Sequence, residues 1–279
     1  MTAAIRLLPD GQLHLNHGPI DCIVRAWGVE RDAAYAQLAG AFPAVLPDLC
    51  AELATLRRPV GQELRGPVAR RMRAACLPFA PEHFITPMAA VAGSVADHLL
   101  AVLCAGRTLE KAFVNDGGDI AFHLAPGAVL SCGMVGDLEA PALDGRFALT
   151  HGLPVRGIAT SGSGGRSFSL GIADAVTVLA QNAAAADAAA TLIANAVDLP
   201  GHPAIARMPA SSLDPDSDLG ARPVTRHVGP LAPRDIAAAL AAGRALAENF
   251  RGSGKIHAAV LMLRGQVMTA GLEPTMLAA

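Results

Sequence analysis

The hydrophobic period of this chain changes near Lys111, and that change restricts the fold more than any other feature. Ahead of it lie long stretches with helical spacing; from 111 to 180 apolar side chains come in short runs divided by glycine-rich turns. Strands are expected at 111–115, 120–124, 129–134, 147–150, 155–160, 168–170 and 175–180. The N-terminus adds strands at 5–8 and 13–16 around an Asp10-Gly11 turn, then a third at 20–26. Residues 31–56 are helical in pattern but contain Pro43 and Pro47, which predicts two helices. A short basic helix follows at 66–77. Thr86-Pro87, a capping hydroxyl before a proline in the first turn, opens a helix to about Cys104, and Gly106 closes it. Residues 183–197 read as a helix. The proline- and aspartate-rich stretch 199–233 has little periodicity and reads as a lid, binding loop or linker. A helix at 233–250 and a hairpin of 256–263 with 266–270 around Arg264-Gly265 complete the chain. Helices and strands partly segregate, so the expected fold is α+β, a mixed, mostly antiparallel sheet flanked by helices in a single domain over 1–279.

Composition removes several functions. With 52% apolar and 16% charged residues, the chain is not globally disordered. Only 4% of residues are aromatic and the one basic cluster, 57–73, is short and interrupted, so nucleic acid is not expected as a partner. Cys22, Cys50, Cys76, Cys104 and Cys132 form no C-x-x-C pair and are odd in number, as reduced thiols in a cytoplasmic protein would be. The first ten residues contain Arg6 and no long apolar run, so no signal peptide is read there. The apolar windows 88–106 and 172–197 are broken by Asp97, His98, Asp174 and Asp187, and no membrane partner is expected. A homodimer is allowed.

Four segments carry residue types that chemistry uses. Val114-Asn115-Asp116-Gly117-Gly118-Asp119 sets two glycines between carboxylates at a strand end, which permits a tight turn and close approach of a ligand to the backbone. A plain hairpin turn is the competing reading. In Ala159-Thr160-Ser161-Gly162-Ser163-Gly164-Gly165-Arg166-Ser167, small residues expose successive N–H donors suited to a phosphate, and Arg166 can add a bidentate contact. This is no P-loop, dinucleotide fingerprint or nucleophile elbow, since the Gly-Lys-Ser/Thr ending, the third glycine and G-x-S-x-G are all missing. A flexible loop competes with the phosphate reading. Asp187, Thr191 and Asn195 recur every four residues as one polar stripe; a carboxylate and a hydroxyl one turn apart are hard oxygen ligands for Mg²⁺ or Ca²⁺. A solvent-facing stripe is the alternative. Asp214-Pro215-Asp216-Ser217-Asp218-Leu219-Gly220 is not an EF-hand, because its glycine comes one place late and Thr225 stands where the bidentate Glu belongs. Asp214, Asp216 and Asp218 stay open between a solvated loop and a ligand contact.

Taken in order, Thr86-Pro87-Met88-Ala89-Ala90-Val91-Ala92-Gly93-Ser94-Val95-Ala96-Asp97, then 113–120, 157–167, 175–191 and 214–220, resemble the ApbE-like proteins, an offshoot of the FAD:protein FMN transferase superfamily, over residues 15–270. The resemblance implies an ApbE-like fold and a small phosphorylated ligand, FAD or another of flavin type, bordered by Asn115, Gly117, Gly118 and Asp119 and by Thr160, Ser161, Gly162, Gly164 and Arg166. It further implies Mg²⁺ at Asp187 and Thr191, which occupy the carboxylate and hydroxyl places of the family's A-D-x-x-x-T helix. Two departures stand beside it. The transferases' H-x-x-D-P-x-T-G segment is missing, the chain passing from Phe168-Ser169-Leu170-Gly171 straight into Ile172-Ala173-Asp174, and their Lys-Gly pair is Ala92-Gly93 here. The resemblance thus implies transfer or hydrolysis on a nucleotide-like ligand rather than FMN attachment to protein. A non-catalytic binding module, or a different reaction in one-carbon cofactor metabolism, are the rival functions.

Overall fold

The structure is a computed structural model, in which residues 2–134, 145–165 and 167–272 are described. In chain order it holds β1 (Ala4–Leu7), β2 (Leu13–His17), β3 (Ile20–Trp27), α1 (Arg31–Ala51), α2 (Leu53–Leu56), α3 (Pro67–Cys76), α4 (Val91–Cys104), β4 (Lys111–Asp116) and β5 (Asp119–Leu124). There follow β6 (Val129–Met134), β7 (Gly145–Thr150), β8 (Gly157–Ser161), β9 (Ala175–Ala180), α5 (Ala183–Ala196), β10 (Ile205–Pro209), α6 (Ala210–Leu213), β11 (Pro223–Val228), α7 (Pro233–Gly252), β12 (Ala258–Leu263) and β13 (Gln266–Ala270). Two compact units divide the chain: Met1–Leu130 with Leu149–Ala159 and Ala180–Ala188, and Ser131–Ala148 with Thr160–Leu179 and Ala189–Ala279.

In the first unit the strands lie in the order β1-β2-β3-β4-β5-β8, each pair antiparallel. Alternation decides which face is buried: Leu13, Leu15, Cys22, Val24, Ala112 and Val114 join Leu38 and Phe42 of α1 and Leu99 and Leu103 of α4 in one core. The second unit pairs β9 with β12 and β12 with β13, again antiparallel. Its β12–β13 turn has positive φ at Arg264 and Gly265, the geometry expected of a two-residue hairpin. The fold is α+β with a large antiparallel sheet component, as the sequence predicts.

Four local expectations are corrected. α1 runs unbroken through Pro43 and Pro47, because Tyr35, Leu38, Phe42, Val45 and Leu49 form one continuous buried stripe. Both prolines lie on the exposed side, where water can take up the carbonyls they orphan. Thr86 makes no side-chain cap bond; a 3-10 turn, Pro87–Ala90, leads into α4. Residues 168–170 form no strand. The stretch 199–233 is not structureless: β10 and β11 make an antiparallel ribbon with a register shift between Ala206 and Arg207. Among the described residues one stretch, Pro87–Cys104, is long and apolar enough to cross a membrane by length and composition. Its Val95, Ala96, Leu99 and Leu103 lie in the core of the first unit.

Candidate functional site

The β4–β5 turn builds the first part of the site. Gly117 and Gly118 both take positive φ, which closes a two-residue hairpin and sets Asp116 directly opposite Asp119. Asn115 serves the turn itself, its Oδ1 accepting the Gly118 N–H at 2.8 Å. Period-two alternation puts the Asp116 and Asp119 side chains on the same face as Val114 and Ala121, and both are buried, at 4% and 8% exposure. Two carboxylates opposite one another on a buried face repel unless a proton or a cation lies between them. Asp116 Oδ1 accepts the Asp21 N–H at 3.3 Å, and the buried Cys22 thiol hydrogen-bonds the same carboxylate.

α5 brings a third carboxylate to the first unit's site. Asp187 Oδ2 accepts the Gly93 N–H at 3.0 Å, and its side chain shares a hydrogen bond with Asp119. Burial pushes the Asp187 carboxyl up to about 7; the Gly93 N–H and the bond to Asp119 pull it down, and the Asp116 charge pushes it further up. The raised Asp187 carboxyl marks this cluster as one where a further negative charge is poorly tolerated. Cys76, raised by burial, is near enough to Asp187 to feel its charge.

The start of α5 is held tightly. Asp97, on α4, accepts the Ala183 and Ala184 N–H groups at 3.1 and 2.9 Å, while Asn182 Oδ1 accepts that of Ala185 at 2.8 Å. Three of the orphan donors at this helix N-terminus are thereby taken by side chains, so a phosphate does not find them free. Burial raises the Asp97 carboxyl, and the two N–H bonds work against that. Asp97→Ala is expected to lower stability by about 2–4 kcal/mol, two buried donors losing their acceptor. Asp97→Asn, which keeps one acceptor oxygen, should recover part of the loss in urea denaturation; an unchanged midpoint in both variants would contradict this role.

The second unit holds the rest of the predicted residues. Thr160 Oγ1 pairs with Thr177 Oγ1 at 2.9 Å. In the glycine-rich loop the Ser163 N–H and Oγ both donate to the Ala173 carbonyl, at 2.8 and 3.0 Å, so that backbone donor is committed to the protein. Gly162 fits under the Asp174 carbonyl, which a Cβ there would approach to 2.2 Å. Ser161 is half-buried and Gly164 exposed at the same loop. Arg166 lies outside the described residues. Thr191 follows Asp187 by one turn of α5 and is half-buried. Asn195, third in the stripe, is occupied: its Oδ1 accepts the Leu170 N–H at 2.9 Å. Asp214 caps its own turn, Oδ1 accepting the Asp216 N–H at 2.9 Å. No three His, Cys, Asp or Glu side chains among the described residues form a metal cage by themselves.

The model of the family described as "AbpE bacteria" matches residues 5–269. The chain belongs to this family. It is 38% identical over 132 residues to a UPF0280 protein of Methanopyrus kandleri, covering 46% of this chain and 48% of that one. It is also 38% identical over 117 residues to a UPF0280 protein of Methanothermobacter thermautotrophicus, covering 42% and 44%. The chain spans about half the length of the curated relatives it matches. Among solved structures, the ApbE protein of Thermotoga maritima superposes over 96% of both chains with a TM-score of 0.53 at 12% identity, a likeness of fold.

Within this AbpE chain, Asp119 and Asp187, 68 residues apart in the sequence, share a hydrogen bond. Reading the sequence missed Asp116, Gly93 and Asp97 as parts of the same neighbourhood. Asp116 was legible in principle: it continues the Ala112–Val114 alternation, which points its carboxylate into the core face. Asp97 and Gly93 act through contacts more than 80 residues distant along the chain, for which local pattern holds no signal.

Proposed function

We propose that this protein binds a small phosphorylated, nucleotide-like ligand of flavin type together with a divalent cation, Mg²⁺ in the first instance, and carries out transfer or hydrolysis on it. The observation that carries the reading is the buried Asp116–Asp119–Asp187 cluster, where burial and then the Asp116 charge raise the Asp187 carboxyl against its hydrogen bonds to Gly93 and Asp119. The donor set fits a hard cation: the Asp187 carboxylate with the Thr191 hydroxyl one turn on. When bound, such an ion supplies charge neutralisation at phosphate oxygens. The chain's own residues do the remainder. Gly117 and Gly118 would let a ligand approach the backbone of the first unit, Gly162 and Gly164 that of the second, and Asp119 would keep Asp187 in place through their shared hydrogen bond.

Incubation with FAD, with and without Mg²⁺, tests this by chromatographic detection of FMN and by thermal shift. Mg²⁺-dependent stabilisation is expected, about 2.7 kcal/mol at a hundred times Kd, and Asp187→Ala should remove it. No metal-dependent shift with FAD or any other flavin or adenine nucleotide would end the proposal. One observation favours a second reading, a binding module without chemistry: residues 168–173 contain no titratable side chain. That reading expects the same stabilisation with no product formed.

A further inference from the structure

We infer that Arg207, on the β10–β11 ribbon, is a positioning residue for the glycine-rich loop at 160–165, acting through the strap of residues 169–173. The consequence for ligand affinity rests on the function proposed above; the positioning itself does not.

The strap lies outside every strand and helix, so its backbone polar groups must find partners one at a time. They do. Ser169 O accepts the Thr225 N–H at 2.8 Å, and Gly171 N–H donates to Ser169 Oγ at 3.2 Å. Leu170 is held from both sides, its N–H by Asn195 and its carbonyl by an Arg207 N–H. Ile172 N–H donates to Val197 O at 2.9 Å. Gly171 seats against the last turn of α5, where a Cβ would come within 2.0 Å of the Ala194 carbonyl. The far end of the strap is what the loop rests on: Ser163 donates twice to Ala173 O, and Gly162 packs under Asp174 O.

Arg207 is placed for this by the ribbon. The register shift lies immediately before it and re-aims its side chain, while its cross-strand partner, Thr225, supplies the other ribbon bond to the strap. The second arm of the guanidinium pairs with Asp198, and both side chains of that pair are only 19% exposed. A mostly buried ion pair is a poor source of net stability, but its fork fixes direction, and here it points one N–H at the Leu170 carbonyl.

Hydrogen exchange by mass spectrometry on peptides covering 160–165 tests the inference without any ligand. Arg207→Ala should speed exchange there about tenfold, as expected for losing one such tether, and Arg207→Lys, which keeps one donor and loses the fork, should fall between. Added guanidinium ion should restore protection in Arg207→Ala. A Phe250→Leu variant in α7, matched for thermal destabilisation, should leave exchange at 160–165 unchanged. Exchange at 160–165 unaltered in Arg207→Ala, or altered equally in Phe250→Leu, overturns the inference. With FAD and Mg²⁺, Arg207→Ala should bind five- to tenfold more weakly than the wild type, an estimate of about one lost tether. If the wild type itself shows no metal-dependent FAD binding while the exchange result holds, the proposed function fails and the positioning stands.

Discussion

Gly157→Ala is expected to destabilise the protein by about 3 kcal/mol or more, with Tm falling on the order of 6–12 °C. A Cβ at Gly157 would stand 2.0 Å from Ala183 N and 2.0 Å from the Asn182 carbonyl carbon. Both are backbone atoms, so no side chain can swing aside, and β8 or the start of α5 must move. Neither is free to do so. Gly157 is fixed in register opposite Ala121, and the first residues of α5 are tied to Asp97 and Asn182. Gly93 closes on the same spot from α4, where a Cβ would lie 2.3 Å from Ala183 O. Displacing α5 would also disturb the Gly93 N–H bond to Asp187, so the metal-dependent ligand binding proposed above should be lost along with stability. Gly152→Ala is the internal control, since nothing lies within 4 Å of its Cβ position, and it should change stability by less than about 0.5 kcal/mol. Equal denaturation midpoints for the two variants would show that the seating of α5 on β8 is wrong.

Where sequence reading succeeds in this chain, a strong local signal agrees with burial. β2, β3 and β4 alternate between buried and accessible positions, and Gly117-Gly118 is a turn of the kind its residues favour. It fails where distant packing overrules a local rule. Pro43 and Pro47 would end an isolated helix, yet they lie on the exposed side and leave the buried stripe of α1 whole, so the helix continues. β10 and β11 escape notice because they are largely accessible, with just Val224 buried between them; a ribbon without a buried face has no alternation to read. The site divides in the same way. Asp119, Asp187 and the loop glycines stand out by residue type; Gly93 and Asp97 lie in the 86–97 segment too, but they and Arg207 matter through what the fold brings against them.

Asp187→Asn should make the protein more stable than the wild type at pH 8 while removing its response to Mg²⁺. The Asp187 carboxyl in the folded protein is raised to about 7, against an ordinary value of about 3.9 when unfolded. A carboxyl raised in this way contributes its stability in full below the unfolded value and loses it as pH climbs to the folded one. Between pH 5 and pH 8 the wild type should therefore lose roughly 2–3 kcal/mol from this group. Asparagine does not titrate. Its oxygen can still accept the Gly93 N–H, its amide can donate to Asp119, and the repulsion from Asp116 is gone. The two proteins should match closely at pH 5 in urea denaturation and separate with the variant ahead by pH 8. Mg²⁺ at pH 8 should restore the wild type toward its pH 5 stability, because the cation takes the place of the lost proton, and should leave Asp187→Asn unmoved. Parallel pH profiles would mean that Asp187 is an ordinary ionised carboxylate, and a wild type that Mg²⁺ leaves unmoved at pH 8 would mean that the acidic cluster holds no metal.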